Sequence, residues 1–350
     1  MSSLRIAALL LGLVTLAPIR DGAMPGQSGQ VPHLSPGEAV MIAGTYHLWQ
    51  SVGESVWPGW TEIPMPLLYV TKDYEYAIGF PERTRGFETL PGVKLAGRTM
   101  QVRKRVLDTD PSASFDVEGV AAAVLGQPEA LKKSSALWVL TAAHEMFHVF
   151  QAARGSHSKV AALKIGPEKD ASWQLSFPFP YQNPDVMRLI HLQGYLLYLA
   201  ANAKDEADAK YNVGTALEAA QVYQNHLQSL AADGKSYRYS QSQEWDEGVA
   251  FYVEYKMSEA SAMEAYQPTR EFAALPDYKD YRRLWRDDYS QRPFLAKHAG
   301  RAARSRTAFY HLGFAKAMAL DRLRVDWKAR YFSQNVWLDD LLGGALTNFK

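Results

Sequence analysis

Two histidines and a glutamate near the middle of the chain are spaced so that they could bind a metal ion and activate water. They lie in the segment LTAAHEMFHVFQAAR, residues 140–154, as His144, Glu145 and His148. At 3.6 residues per turn, a separation of four places both imidazoles on one helix face, with Cβ atoms about 6 Å apart. Glu145 lies about 100° around the helix from His144, where its carboxylate can reach a water molecule on the metal. The spacing therefore predicts two metal ligands and one general base.

Zinc is the metal that this arrangement predicts. The chain has no cysteine, so a metal ion must be bound by His, Asp or Glu. The order His-Glu-x-x-His on a helix is typical of zinc peptidases, in which zinc lowers the pKa of water to about 7 and the glutamate accepts the proton. The alternative is that both histidines are hydrogen-bonded core residues. We favour the metal site, because two imidazoles and a carboxylate buried in an apolar helix without a partner would cost free energy.

A catalytic zinc ion takes a third protein ligand and keeps one open position. A third histidine of the pattern His-x-x-Gly-x-x-His is absent, because Gln151 and Arg154 stand in those places. Four candidates for the third ligand remain: His157, Glu168, Asp170 and Glu247. His157 follows the predicted end of the helix, and the Gly-Pro pair before Glu168 predicts a loop there.

Glu247 is the candidate that we prefer over Glu168. It lies in QEWDEGVAFYVEYKM, a segment whose apolar spacing predicts an amphipathic helix. The neighbouring Gly248 would let a second helix approach closely. The alternative for Glu247 is an exposed helical carboxylate with no ligand role.

The segment HEMFH, followed later by EGVAFYVEY, resembles the glutamate zincins (gluzincins), the thermolysin-like superfamily of metallopeptidases. The resemblance implies that His144, His148 and Glu247 bind zinc and that Glu145 is the general base. It is carried by residues 137–155 and 244–255 only. The spacing departs from that of short-spacer members, because 99 positions separate His148 from Glu247, against about twenty in those enzymes.

A later segment, TAFYHLGFAKAMALDRL (residues 307–323), resembles the Tyr-x-x-Gly segment that follows the metal site in some gluzincin aminopeptidases. The resemblance implies that the phenol of Tyr310 donates a hydrogen bond to the oxyanion that forms during hydrolysis. His311 is the alternative donor. The segment also has the apolar spacing of a core helix, so packing is the competing explanation for Tyr310.

The order of strand-like and helical patterns along the chain predicts an α+β fold. A strand-rich N-terminal part is followed by a mostly helical zincin-like catalytic part. Six of the later segments have helical spacing: 134–154, 185–201, 205–231, 243–259, 308–325 and 336–343. We expect the following parts in chain order: signal peptide 1–23, flexible lead-in 24–40, strand-rich part 41–130, metal-binding helical part 131–265 with an insertion at 155–243, and helical C-terminal part 266–350. The insertion could cover the cleft.

The N-terminus and the overall charge bear on location and partners. One cation, Arg5, precedes an uncharged run from Ile6 to Ile19, which is typical of a cleaved signal peptide and too short to cross a bilayer. We therefore expect export to the periplasm or the extracellular space, and no stable membrane insertion after cleavage. The 38 Lys and Arg nearly balance the 37 Asp and Glu, which disfavours a nucleic-acid partner. We interpret the basic patch of Arg301, Arg304 and Arg306 as a solvated face.

These observations together predict an exported zinc-dependent metallohydrolase that acts on a peptide or protein substrate. A strand from residues 113–126 could pair with an extended substrate at a sheet edge. Two alternatives remain. The first is a catalytically inactive, zinc-stabilised binding protein. The second is an aromatic-rich module that binds carbohydrate or the cell envelope, suggested by WQSVGESVWPGW. The sequence does not fix the oligomeric state.

Overall fold

The computed structural model describes residues 32–167, 173–300 and 304–347. The predicted signal peptide and the first part of the predicted lead-in lie outside these residues. The described chain forms two compact units. The first unit holds the residues up to His47, Pro64–Val149 and Thr269–Tyr278, and the second unit holds Leu48–Ile63, Phe150–Pro268 and the residues from Lys279 onward. The domain boundaries predicted from the sequence stay predictions.

Strands are confined to the first unit within the described part of the chain. They are β1 (Leu67–Val70), β2 (Tyr74–Ile78), β3 (Glu88–Leu95), β4 (Arg98–Lys104), β5 (Ser112–Val117) and β6 (Val120–Gly126). They form one sheet in the order β3-β4-β2-β1-β6-β5. The β1–β6 pair is parallel, and the other neighbouring pairs are antiparallel. β5 is therefore an edge strand.

Helices dominate the rest of the described chain. They are α1 (Pro36–Val56), α2 (Pro128–Leu131), α3 (Ser135–Ala153), α4 (Ser156–Ala161), α5 (Trp173–Ser176), α6 (Pro184–Ala201), α7 (Glu206–Leu230), α8 (Lys235–Gln243), α9 (Val249–Ser261), α10 (Arg270–Ala273), α11 (Tyr281–Leu284), α12 (Arg292–Ala296), α13 (Thr307–Arg322), α14 (Lys328–Tyr331) and α15 (Leu338–Thr347). Single turns of other helix types lie at Trp60–Glu62 (3₁₀) and at Glu244–Gly248 and Trp285–Tyr289 (π). Below, "the π turn" means Glu244–Gly248.

The predicted fold class, α+β with strands before helices, is confirmed. Within the described ranges no helix is both long enough and apolar enough to cross a membrane.

Helix α1 corrects the expectation of strands from residue 41 onward. Pro36 occupies its first turn, and Ser35 forms a capping box with Glu38: the Ser35 N–H donates to Glu38 Oε2 (2.8 Å) and the Glu38 N–H donates to Ser35 Oγ (3.2 Å). The β-branched and aromatic residues of the segment favour strands locally, but its buried residues recur at helical spacing. The capping sequence SPGE was the signal for this helix.

The sheet of the first unit is buried on both faces at its centre. Every residue of β1 is buried, which is typical of a strand with a parallel neighbour and packing on each side. One face carries a cluster formed by Leu68, Val70, Ala77, Phe80, Val117, Ala122 and Val124. On the other face, the Tyr69 ring meets the Trp138 ring of α3 edge-on at 5.7 Å. Helix α3 is thus held against the sheet.

Candidate metal centre

Helix α3 carries the predicted metal ligands, and its start is fixed by a distant carboxylate. The backbone N–H of Ser135 donates to Asp277 Oδ2 (2.8 Å), and the Ser135 hydroxyl donates to Asp277 Oδ1. A negative charge at this position satisfies free N–H groups and complements the helix dipole. The sequence predicts that Ser134 or Ser135 caps the helix, but the structure places Asp277 in the accepting role.

One turn further along, Trp138 fixes the rotation of α3 on the sheet. Its indole N–H donates to the carbonyl oxygen of Gly126 at the end of β6 (2.8 Å), and the side chain is fully buried. Because side chains four apart share a helix face, a fixed rotation of α3 also fixes the direction of the residues that follow. The predicted helix at 134–154 agrees with α3 within one residue at each end.

The structure brings His144, Glu145 and His148 together. One ligand atom from each lies within 4.8 Å of the ligand atoms of the other two. The two histidine Nε2 atoms are 3.2 Å apart, and the ring planes make an angle of 73°. His144 and Glu145 are buried, and His148 is partly buried. The prediction that the two imidazoles converge from one helix face is confirmed.

The spacing of the two Nε2 atoms fits zinc. With Zn–N bonds of about 2.0–2.1 Å, two nitrogens 3.2 Å apart subtend an angle of about 100° at a shared ion, close to the tetrahedral angle. In the metal-free protein the same distance suits a hydrogen bond in which one imidazole donates to the other. The nitrogen and oxygen donors of this group are those that zinc takes when thiolates are absent.

Glu145 is held by a residue that the sequence did not reveal. The hydroxyl of Ser112, the first residue of β5, donates to Glu145 Oε1 (3.1 Å), and both side chains are buried. The region predicted to supply a substrate strand, 113–126, forms the hairpin of β5 and β6, of which only β5 lies at the sheet edge, and Ser112 lies one residue before that region. Nothing in the local pattern marks Ser112, because its role depends on a contact 33 positions along the chain.

Glu247, the preferred third ligand, lies in the second unit on the π turn. Its Oε1 accepts a hydrogen bond from Arg306 Nη1 (3.0 Å), and both side chains are mostly buried. The Arg306 guanidinium also donates to Gln243 Oε1 (3.2 Å). The expectation that Arg306 lies on a solvated face is therefore wrong, because the carboxylate of Glu247 draws it inward. Arg304 is exposed, and Arg301 lies outside the described residues.

The predicted close approach at Gly248 is confirmed. A Cβ atom on Gly248 would lie 2.6 Å from the Cα of Gly313 in α13, which is closer than real Cβ contacts. Only glycine therefore allows α13 to reach the π turn at this point. The role of Glu247 as a ligand stays a prediction.

Helix α3 also contacts the π turn within the second unit. The amide of Gln151, three residues after His148, donates from Nε2 to the carbonyl oxygen of Asp246 (3.0 Å). Gln151 is fully buried and also donates to the Tyr331 hydroxyl (2.7 Å). Gln151 therefore holds the backbone of the π turn at the residue before Glu247.

Tyr310 lies on α13, one turn after Arg306, whose guanidinium carbon is 5.4 Å from the centre of the Tyr310 ring. The structure thus groups Glu247, Arg306 and Tyr310 within the second unit. The alternative donor, His311, packs edge-on against Phe251 at 5.6 Å. Burial, assisted by the nearby Arg292 cation, lowers the pKa of His311 to about 4. His311 is therefore neutral near pH 7.

Three other residues were candidates for the third metal ligand: His157, Glu168 and Asp170. His157 is exposed on α4. Glu168 and Asp170 lie outside the described residues, so the choice between Glu247 and Glu168 stays open.

Comparisons with family models, with curated proteins and with solved structures give no match to this chain.

Proposed function

We propose that this protein is a zinc-dependent metallohydrolase that cleaves peptide bonds, of the gluzincin type. The observation that carries the proposal is the 3.2 Å separation of the His144 and His148 Nε2 atoms, with the Glu145 carboxylate beside them. Two imidazole nitrogens and a carboxylate oxygen that converge in this way are the donors that zinc takes in proteins without thiolate ligands.

Glu247 supplies the third ligand in this proposal, which gives the His₂Glu set of a catalytic zinc site. Two contacts support it. Arg306 holds the Glu247 carboxylate in one orientation, as residues that bind metal ligands commonly do. Gln151 of α3 holds the backbone one residue before Glu247.

Glu145 acts as the general base. When bound, zinc would polarise the scissile carbonyl and make water acidic enough to be deprotonated near neutral pH. The Glu145 carboxylate accepts the proton of the attacking water and returns it to the leaving amine. Ser112 keeps one oxygen of this carboxylate fixed. The Tyr310 phenol donates a hydrogen bond to the developing oxyanion.

The edge strand β5 favours a peptide as the substrate. It has a sheet neighbour on one side only, and its first residue is bonded to the general base. An extended peptide that adds to this edge would gain main-chain hydrogen bonds. Its backbone would run past Glu145, so peptide cleavage is the reaction that this arrangement suits best.

Export to the periplasm or the extracellular space completes the proposal. It rests on the sequence of residues 1–23, in which one arginine precedes a short apolar run.

The test compares the wild type with Glu145→Gln, which keeps the size of the side chain and removes the base. We expect about one zinc ion per chain in both proteins. Hydrolysis of fluorescein-labelled casein should fall by about 10²–10⁴-fold in Glu145→Gln. The matched control is Glu129→Gln, which makes the same change at an exposed residue of α2 and should keep full activity.

The same experiment separates the alternatives. Stoichiometric zinc without hydrolysis in the wild type would indicate the zinc-stabilised binding protein. Absence of zinc from the wild type would contradict the metallohydrolase, and would leave the carbohydrate or cell-envelope module as the remaining hypothesis.

A further inference from the structure

The π turn interrupts an otherwise continuous helical run from α8 to α9. It has the sequence EWDEG and carries the proposed third ligand, Glu247. A π turn accommodates an extra residue in the helix and leaves carbonyl groups without their usual helical partners, so it costs free energy. Such turns persist where other contacts compensate for this cost.

Two tertiary hydrogen bonds are donated to backbone carbonyl groups of the π turn. The Tyr331 hydroxyl donates to the carbonyl oxygen of Trp245, and the Gln151 amide donates to that of Asp246. The Trp245 and Tyr331 rings stack with centroids 4.6 Å apart, and the Trp245 indole N–H donates to the Tyr331 carbonyl (3.1 Å). The two bonds between Trp245 and Tyr331 are buried and the bond to Asp246 is partly buried, so water competes little with these bonds.

A buried cation holds the first residue of the turn. The Lys316 ammonium of α13 is 2.6 Å from Glu244 Oε2 and 2.6 Å from Asp339 Oδ1 of α15. The exposed fractions of the Lys316 and Glu244 side chains are 3% and 4%. One ammonium thus joins three elements of the second unit: the π turn, α13 and α15.

The charges of this cluster depend on one another. Burial alone would lower the pKa of the Lys316 ammonium, but the carboxylates of Asp339 and Glu244 hold it above its usual value. Burial also raises the pKa of the Glu244 carboxyl, and Lys316 opposes that rise. Removing the cation would leave two carboxylates close together with one of them fully buried, which is strongly unfavourable.

The backbone of α13 packs closely against the π turn. A Cβ atom on Gly313 would lie 2.1 Å from the carbonyl oxygen of Glu244. Gly313 and Lys316 are one turn apart on α13, so a close backbone contact and a buried ion pair act on the same residue of the turn. Interactions that are both short and buried define one position rather than a range of positions.

We propose that Lys316 is a positioning residue, which fixes the π turn so that the Glu247 carboxylate is presented in the orientation that binds zinc. Glu244 is the residue through which Lys316 acts, and Glu247 follows three positions later on the same turn. Arg306 orients the carboxylate, and Lys316 orients the backbone that carries it. The inference rests on the proposed function, because that function gives Glu247 its role.

The test measures the Kd for zinc by competition with a chromophoric chelator, together with the midpoint of thermal unfolding of the metal-free protein. Lys316→Met keeps the volume and removes the charge. The matched control is Arg292→Met, which breaks a buried ion pair with Glu254 (2.7 Å) in the same unit but away from the π turn. Both variants should lower the midpoint. Lys316→Met should weaken zinc binding about tenfold or more, a typical effect of residues that orient ligands. Arg292→Met should change it less than about threefold.

If Lys316→Met does not fold, the triple variant Glu244→Gln/Lys316→Met/Asp339→Asn replaces it, because removing all three charges leaves no carboxylate of the cluster uncompensated. A folded variant that binds zinc as the wild type does would overturn the positioning role and leave the peptidase intact. Full zinc content in Glu247→Ala would also overturn it, because the ligand would then lie elsewhere. Absence of zinc from the wild type would overturn both the inference and the proposed function.

Discussion

The hydroxyl of Ser112 gives the proposed general base a fixed neighbour. A bond of this kind contributes roughly 1–1.5 kcal/mol, or about tenfold in rate if it orients the carboxylate for proton transfer. We predict that Ser112→Ala lowers kcat on a peptide substrate about tenfold with little change in KM or zinc content. Ser112→Thr, which retains the hydroxyl, should restore most of the rate.

Ser114→Ala is the control for Ser112, because Ser114 is the next residue on the same face of β5. It should behave as the wild type does. Equal losses of kcat in the two alanine variants would show that activity depends on the packing of β5 and not on the hydrogen bond to Glu145.

His311 makes stability depend on pH. Its pKa in the folded protein is lowered to about 4, chiefly by burial, from 6.5 in the unfolded chain. The folded state therefore binds fewer protons than the unfolded state between these values, and stability is lost as the pH falls through this window. We predict that the wild type loses about 2 kcal/mol more than His311→Gln between pH 7 and pH 5.

The measurement is urea unfolding of both proteins in the presence of EDTA, so that metal binding does not contribute. Parallel pH profiles for wild type and His311→Gln would contradict the buried, neutral state of this imidazole.

At the scale of elements, the sequence predicted the helices better than the turns between them. Helix α3 was found because its apolar residues recur at a helical period. The π turn was missed, since the pattern of 243–259 continues through it and its stability comes from Tyr331, Gln151 and Lys316. Those residues are distant along the chain, so no local pattern reports them.

The contact between α13 and the π turn makes a prediction about glycine. Gly313→Ala should destabilise the protein by about 2 kcal/mol or more, because the new Cβ would overlap the Glu244 carbonyl. Gly343→Ala is the matched change in helix α15, where a Cβ meets no atom within 4 Å. It should stabilise by about 0.5–1 kcal/mol.

Thermal unfolding of both glycine variants tests this pair. If Gly313→Ala leaves the stability unchanged, the backbone of α13 does not contact the Glu244 carbonyl as closely as the structure indicates.

For the whole molecule, the fold class followed from the order of strand-like and helical segments. Two contacts at the candidate site could not be predicted from the sequence. Asp277 binds the start of α3 from 142 positions away, and Ser112 reaches Glu145 from a separate strand. Contacts of this kind are decided by how the chain folds as a whole. The convergence of His144, Glu145 and His148 was predictable, because their spacing along one helix is local. The contacts that Asp277 and Ser112 make with this helix were not.

Anomalous diffraction at the zinc absorption edge would show whether one zinc ion is bound by both imidazoles of α3. We predict a single strong peak about 2.0–2.1 Å from Nε2 of His144 and of His148 in crystals grown with zinc. A map without a peak between these two nitrogens would show that the two histidines do not bind zinc.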